Sequence, residues 1–135
     1  MAEGLIGKEE QAIREGRMKK ICQACHSRQW TEGHYEKFAR TIETTNAMTL
    51  AATRLMLGAW DRGLARGLAQ GESIFDEALE RRWVSQWLFY ANSTRYASAM
   101  GGADYGVFAN GRYQLGTNLR DMLDHLELLE SARKK

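Results

Sequence analysis

No proline occurs in the 135 residues, so no pyrrolidine ring interrupts a helix anywhere in the chain. Ala, Leu, Glu, Arg and Met, the better helix formers, are prominent. Together these features predict an all-α protein with short connections. Cysteine is nearly absent: Cys22 and Cys25 sit in one pentapeptide and there are no others, which excludes a disulfide framework. Long apolar runs are missing, and none approaches the ~20 residues of a membrane span. The opening Met1-Ala2-Glu3-Gly4-Leu5-Ile6-Gly7 lacks the apolar core of a signal peptide. A surplus of one charge is missing too. Nineteen Lys and Arg stand against seventeen Asp and Glu, for a net charge of +2. They are interspersed, without the basic stripe of a nucleic-acid binder. The closing Arg133-Lys134-Lys135 reads as a solvated tail.

What is present is globular: 44% hydrophobic and 27% charged residues, enough for one domain or two at most. Four helical segments are predicted. The first runs from about Lys8 to His26, and the second from near Thr31 to about Arg66. The apolar Ile42, Ala52, Leu55, Met56, Ala59 and Leu64 recur in the second at a loose helical spacing that Thr41, Thr44, Thr45, Asn46 and Thr49 interrupt. Ser73, with Asp76 three residues on, is the expected N-cap of the third, which carries Phe75, Leu79, Trp83, Trp87, Phe89 and Tyr90 and ends at Gly101-Gly102. In the fourth, Leu115, Leu119, Met122, Leu126 and Leu129 form a seam of about two heptads, suited to packing within the chain or against another subunit. The expected architecture is a bundle of three long helices preceded by a short helix. It divides into an attachment segment (1–30) and a C-terminal bundle (31–135).

Chemistry is concentrated in Cys22-Gln23-Ala24-Cys25-His26, the C-x-x-C-H pattern of c-type haem attachment. Two thiols on one helical turn can each add to one vinyl group of the same porphyrin, and the next residue then sets an imidazole under the iron. A thiol redox pair would need a βαβ context, and no strand pattern is visible. A zinc site would need more ligands at suitable spacing, and only His34 and His125 remain. The cofactor expected is therefore one covalent haem c held by Cys22, Cys25 and His26, with His26 as axial ligand.

The sixth position is open. His34 lies eight residues after His26, about 12 Å of rise on one helix, so the two imidazoles cannot share an iron. His34 is a candidate axial ligand of a different haem, or a partly exposed polar residue. His125, beside Asp124, is expected to be solvated. The methionines fit core positions better than a ligand role. Trp30, Trp60, Trp83 and Trp87 are expected to be mostly core, with one or two available to cover a haem edge.

Several stretches then accumulate: C-Q-A-C-H-S-R-Q-W (22–30), E-G-H-Y-E-K-F (32–38), T-I-E-T-T-N (41–46), S-I-F-D-E-A-L-E-R-R-W (73–83), W-L-F-Y-A-N-S-T-R-Y-A-S-A-M (87–100) and G-A-D-Y-G-V-F-A-N-G-R-Y (102–113). Together they resemble the C-terminal part of the octahaem hydroxylamine oxidoreductase family, from about Gly4 to about Glu130. The resemblance implies a parent that is periplasmic, trimeric and multihaem, and that oxidises hydroxylamine and relays electrons along its haems. The haem on Cys22, Cys25 and His26 would be the last of that series. In the hydroxylamine-oxidising branch a tyrosine of this region bonds to the catalytic haem of a neighbouring subunit, whereas nitrite-reducing relatives lack the link. Tyr105, in the glycine-flanked loop Gly101–Gly106, is the candidate, with Asp104 orienting the loop. Tyr113, Tyr96 and Tyr90 follow.

The chain departs from the family in holding one C-x-x-C-H rather than eight. Hydroxylamine turnover by this polypeptide alone is not expected. The partners implied are the other subunits of a homotrimer and upstream haem domains or a redox partner protein, with no nucleic acid and no membrane span. Because c-type haem is attached outside the cytoplasm, either an export signal has been removed or the chain is a piece of a longer one. The alternatives are a stand-alone monohaem electron carrier and a helical oligomerisation module without haem.

Overall fold

The computed structural model describes residues 6–101 and 111–134. It is all-α, with no strand among those residues. α1 spans Lys8–Cys22 and α2 spans Arg28–Asp61. α3 is a continuous run of Ala78–Val84, a π-helical segment Ser85–Tyr90, and Ala91–Gly101; α4 spans Tyr113–Arg133. This is the expected short helix followed by three long ones. The chain forms two compact units, one up to Lys37 and one from Phe38.

The first unit holds α1 and the opening turns of α2. No residue of α1 is buried, and Ile13, Met18 and Ile21 are exposed. Its local support is an Arg14–Glu10 ion pair of 2.7 Å, with acidic residues in the first turn and basic ones in the last, the arrangement that the helix dipole favours. α1 ends at Cys22 rather than His26, because the next residues close a tighter turn. Ala24 N donates to Ile21 O, and Cys25 N and His26 N both donate to Cys22 O. Ser27 then starts α2. Its hydroxyl accepts the Trp30 N–H at 3.1 Å, a side-chain cap worth about 1 kcal/mol. Its carbonyl accepts both the Thr31 N–H and the fully buried Thr31 hydroxyl.

The second unit has its core where α2, α3 and α4 meet. Ala52, Met56 and Ala59 of α2 pack with Ala65, with Leu79 of α3, and with Met122 and Leu126 of α4; Leu55, Trp60, Leu64, Trp83 and Leu119 pack around them. The α4 seam therefore packs within the chain. Of the threonines that break the apolar pattern of α2, Thr41 and Thr45 turn inward and are buried, while Thr44 is exposed. The hydroxyls of Thr45, Thr49 and Thr53 each donate to the carbonyl four residues earlier, so a polar side chain enters the interior already paired.

α2 stops at Asp61, short of the expected Arg66, at a Schellman turn. Gly63 takes φ +64°, Gly63 N donates to Trp60 O, and Leu64 N donates to Ala59 O. Ser73 is not the N-cap of α3, because its hydroxyl accepts from Phe75 N in the preceding loop. The cap is Glu77, whose N–H donates to Glu80 Oε2 at 3.1 Å. α3 and α4 are clamped by Gln86, fully buried, which donates to Leu115 O and accepts from Asn118, and by an Arg82–Asp121 ion pair.

Candidate functional site

The C-x-x-C-H residues lie where α1 gives way to α2. Cys22 is the last residue of the helix, half-buried, and Cys25 is exposed one turn on. Both are free thiols. The hydrogen bonds from Cys25 N and His26 N to Cys22 O, 3.2 and 3.0 Å, wind the pentapeptide into one turn, as two thioethers to one porphyrin edge require. No group of three or more His, Cys, Asp or Glu among the described residues gathers as a bare-ion site. Haem attachment needs no such convergence, since the sulfurs go to separate vinyl carbons and only the imidazole meets the iron. The residues present fit the group.

His26 is exposed and lies flat against Trp30, ring centroids 3.7 Å apart and planes 15° apart. His34 also stacks on Trp30, 5.4 Å away and 5° from parallel. A face-stacked imidazole keeps its edge, and with it Nε2, free for a metal. Ligating histidines are ordinarily held in orientation by a partner on the other ring nitrogen. Here the indole face does the holding. Ser27 is the reason Trp30 sits there: capping α2 through the Trp30 N–H fixes the first turn of the helix under the His26 ring. Of the four tryptophans expected to be mostly core, Trp30 is half-exposed. The spacing of four residues from His26 to Trp30 and four more to His34 was the signal for this stack, and reading each ring by itself missed it.

His34 is half-buried and meets Tyr35 edge-on, centroids 5.7 Å apart. His26 and His34 thus both stack on the one indole of Trp30. Tyr35 lies beneath Lys19, whose Nζ is 4.9 Å from the ring centroid. Burial, and then the charges of Cys22 and Glu15, push the Tyr35 phenol above its ordinary pKa, with Lys19 opposing. Lys19 itself is pushed up, first by its hydrogen bond to Glu15 and then by that to Glu32, at 2.8 and 2.6 Å. This lysine ties α1 to α2 beside the attachment turn.

Tyr105 and Asp104 lie outside the described residues. Tyr113 opens α4 and is exposed, as is Tyr96 on α3, while Tyr90 is half-buried at the end of the π-helical segment. His125, expected in solvent, is half-buried. Met56 and Met122 are fully buried core residues, as their positions indicated.

The chain is 45% identical to part of a hypothetical multiheme protein. That solved structure superposes with a TM-score of 0.84, over 97% of this chain and 25% of the other, so the chain spans about a quarter of its length. No family model matches the chain, and no curated protein matches it significantly. No helix among the described residues is long and apolar enough to cross a membrane.

Proposed function

We propose that this chain is the haem-bearing helical portion of a multihaem oxidoreductase of the hydroxylamine oxidoreductase type, acting in electron relay and in assembly. The observation that carries the reading is the likeness, at 45% identity over nearly the whole chain, to a quarter of a multiheme protein. It coincides with two free thiols and an edge-free imidazole on one turn. The haem, when bound, supplies one-electron redox chemistry. Cys22 and Cys25 would hold it covalently and His26 would bind its iron, with Trp30 fixing the plane of that imidazole. His34, stacked on the same indole, would bind the iron of a second haem carried by the rest of the parent. Tyr105 links to the catalytic haem of a neighbouring subunit in a periplasmic homotrimer that oxidises hydroxylamine.

Intact mass is the direct test, on chain purified from cells able to mature c-type cytochromes. A gain of one haem, lost in Cys22→Ser and Cys25→Ser, is expected. The unmodified mass would overturn the haem assignment and leave an assembly module. A loaded chain that stays monomeric at all concentrations, with both axial positions filled by its own residues, would favour a stand-alone electron carrier.

A further inference from the structure

Three tryptophans of the second unit stand in a row. Trp60 meets Trp83 nearly edge-to-face, centroids 5.6 Å apart and planes at 80°, and Trp83 meets Trp87 at 6.0 Å and 57°. Aromatic packing accounts for these contacts. It does not account for the way the three indole N–H groups are partnered. Trp60 Nε1 donates to Glu80 Oε1 at 2.9 Å. Trp83 Nε1 donates to the Thr53 hydroxyl at 3.1 Å. Trp87 Nε1 is buried and has no partner among the described residues. Along the row the acceptor runs from a carboxylate, through a hydroxyl, to none among the described residues.

That order matters for one chemistry above others. An indole that loses an electron becomes a strong acid, so a base already hydrogen-bonded to its N–H makes the loss easier by accepting the proton. Glu80 is such a base: fully buried, its two oxygens accept from Trp60 and from the Glu77 N–H. A threonine hydroxyl is a far weaker base. Trp87 is half-buried with its Nε1 shut away from water, so an indole cation there would keep its charge and its proton with no base to take it, which is expensive. Ease of oxidation therefore increases from Trp87 through Trp83 to Trp60.

We propose that Trp87, Trp83 and Trp60 form a hole-transfer chain that delivers oxidising equivalents to Trp60, where they rest as a neutral indolyl radical with the proton on Glu80. The oxidant is a diffusible one-electron radical oxidant, the class to which nitrogen dioxide and the carbonate radical belong. It takes one electron from the row; Trp60 and the Glu80 carboxylate become the neutral radical and the carboxylic acid. A small-molecule reductant such as a thiolate or ascorbate returns one electron, and the proton goes back from Glu80 to Nε1. The structure provides a route for that reductant. A cleft of about 610 Å³ is lined by Trp60 and Trp83 together with Asp61, Gly67, Leu68 and Ile74. The ring is also held for the purpose: a Cβ on Gly67 would lie 2.9 Å from Trp60 Nε1, so backbone abuts the pyrrole edge and keeps the N–H on Glu80. The row lies in a different unit from the C-x-x-C-H turn and needs no haem.

The test uses the full chain without haem, oxidised by photogenerated ruthenium(III) tris-bipyridine. Oxygenated tryptophan is mapped by peptide mass spectrometry and the radical by electron paramagnetic resonance. Trp30, half-exposed and outside the row, is the internal reference. In the parent chain the product at Trp60 should exceed that at Trp87 several-fold, with a neutral radical signal. Trp83→Phe keeps a ring in place and removes the relay, so product should fall at Trp60 and rise at Trp87. Glu80→Gln keeps an acceptor but no base, so the preference for Trp60 should disappear. Circular dichroism checks that each variant keeps its helices; should Trp83→Phe fail, Glu80→Gln alone decides. Product yields that follow exposure and respond to neither substitution would overturn the proposal.

Discussion

Gln86 is the position where the energetics of this fold are most sharply testable. The side chain is fully buried in the π-helical segment, yet its amide is satisfied from α4. Nε2 donates to Leu115 O at 3.0 Å, and Oε1 accepts from Asn118 Nδ2 at 2.9 Å. Asn118 Nδ2 also donates to Arg82 O at 2.9 Å. Gln86→Leu keeps the volume and deletes both bonds. Leu115 O retains its place in a helical ladder, but one N–H of the Asn118 amide is left buried and unpaired. A stranded buried donor costs about 1–3 kcal/mol and each net hydrogen bond about 0.5–1.5, so Gln86→Leu should lose about 2–3 kcal/mol. Asn118→Leu should lose a similar amount. The double variant strands neither side chain, and its loss should fall short of the sum by about 1–2 kcal/mol, within the coupling range of residues in one network. Urea unfolding followed by far-ultraviolet circular dichroism measures all four corners of the cycle. Losses that add within about 0.5 kcal/mol would refute the reasoning and mean that the two amides do not depend on each other.

Two further perturbations follow from the geometry. Gly111→Ala would set a Cβ 2.8 Å from Tyr90 O and 2.9 Å from Thr94 N; both are backbone, so the clash cannot be relieved by a rotamer. The urea midpoint should fall by the equivalent of about 1–3 kcal/mol, and an unchanged midpoint would deny the close approach. The Lys19 and Tyr35 shifts are both upward, so their contributions are complete below the ordinary lysine and tyrosine values and are lost as pH rises through the folded ones. The first unit should therefore lose helix signal in alkali, and Lys19→Met should weaken that transition. The same alkaline profile in the variant would show that Lys19 does not close the unit.

The fold was legible wherever one residue type dictated one geometry. The α4 seam is of this kind, since periodicity acts locally. The end of α2 was not. Gly58 lies inside the helix and Gly63 ends it, and composition does not say which glycine takes the left-handed φ. Ser73 has the chemistry of a cap, but its hydroxyl is already used by Phe75 N, and Glu77, a weaker capper by type, starts the helix because Glu80 reaches back to its N–H. The buried threonines of α2 looked like breaks in a face because their pairing to their own backbone is invisible in a hydropathy pattern. Trp30 was grouped with the mostly core tryptophans for its size, whereas its environment is decided by the two imidazoles stacked on it.

The π-helical segment gives α3 a tolerance that its neighbours lack. At about 100° per residue, Leu79 and Gln86 share one side of the helix. On an unbroken α-helix the later buried residues Ala91, Thr94 and Ser98 would be rotated away from that side by about a right angle. The extra residue taken up in Ser85–Tyr90 turns them back by one position, so all five face inward together. A one-residue deletion within Ser85–Tyr90 can be absorbed by reverting to plain α-helix, leaving both buried stripes where they are. The same deletion a turn earlier or later swings one stripe toward solvent. Length variation in α3 is thus confined to a six-residue window, and the numbering of its two halves can drift apart by one without the fold registering the difference.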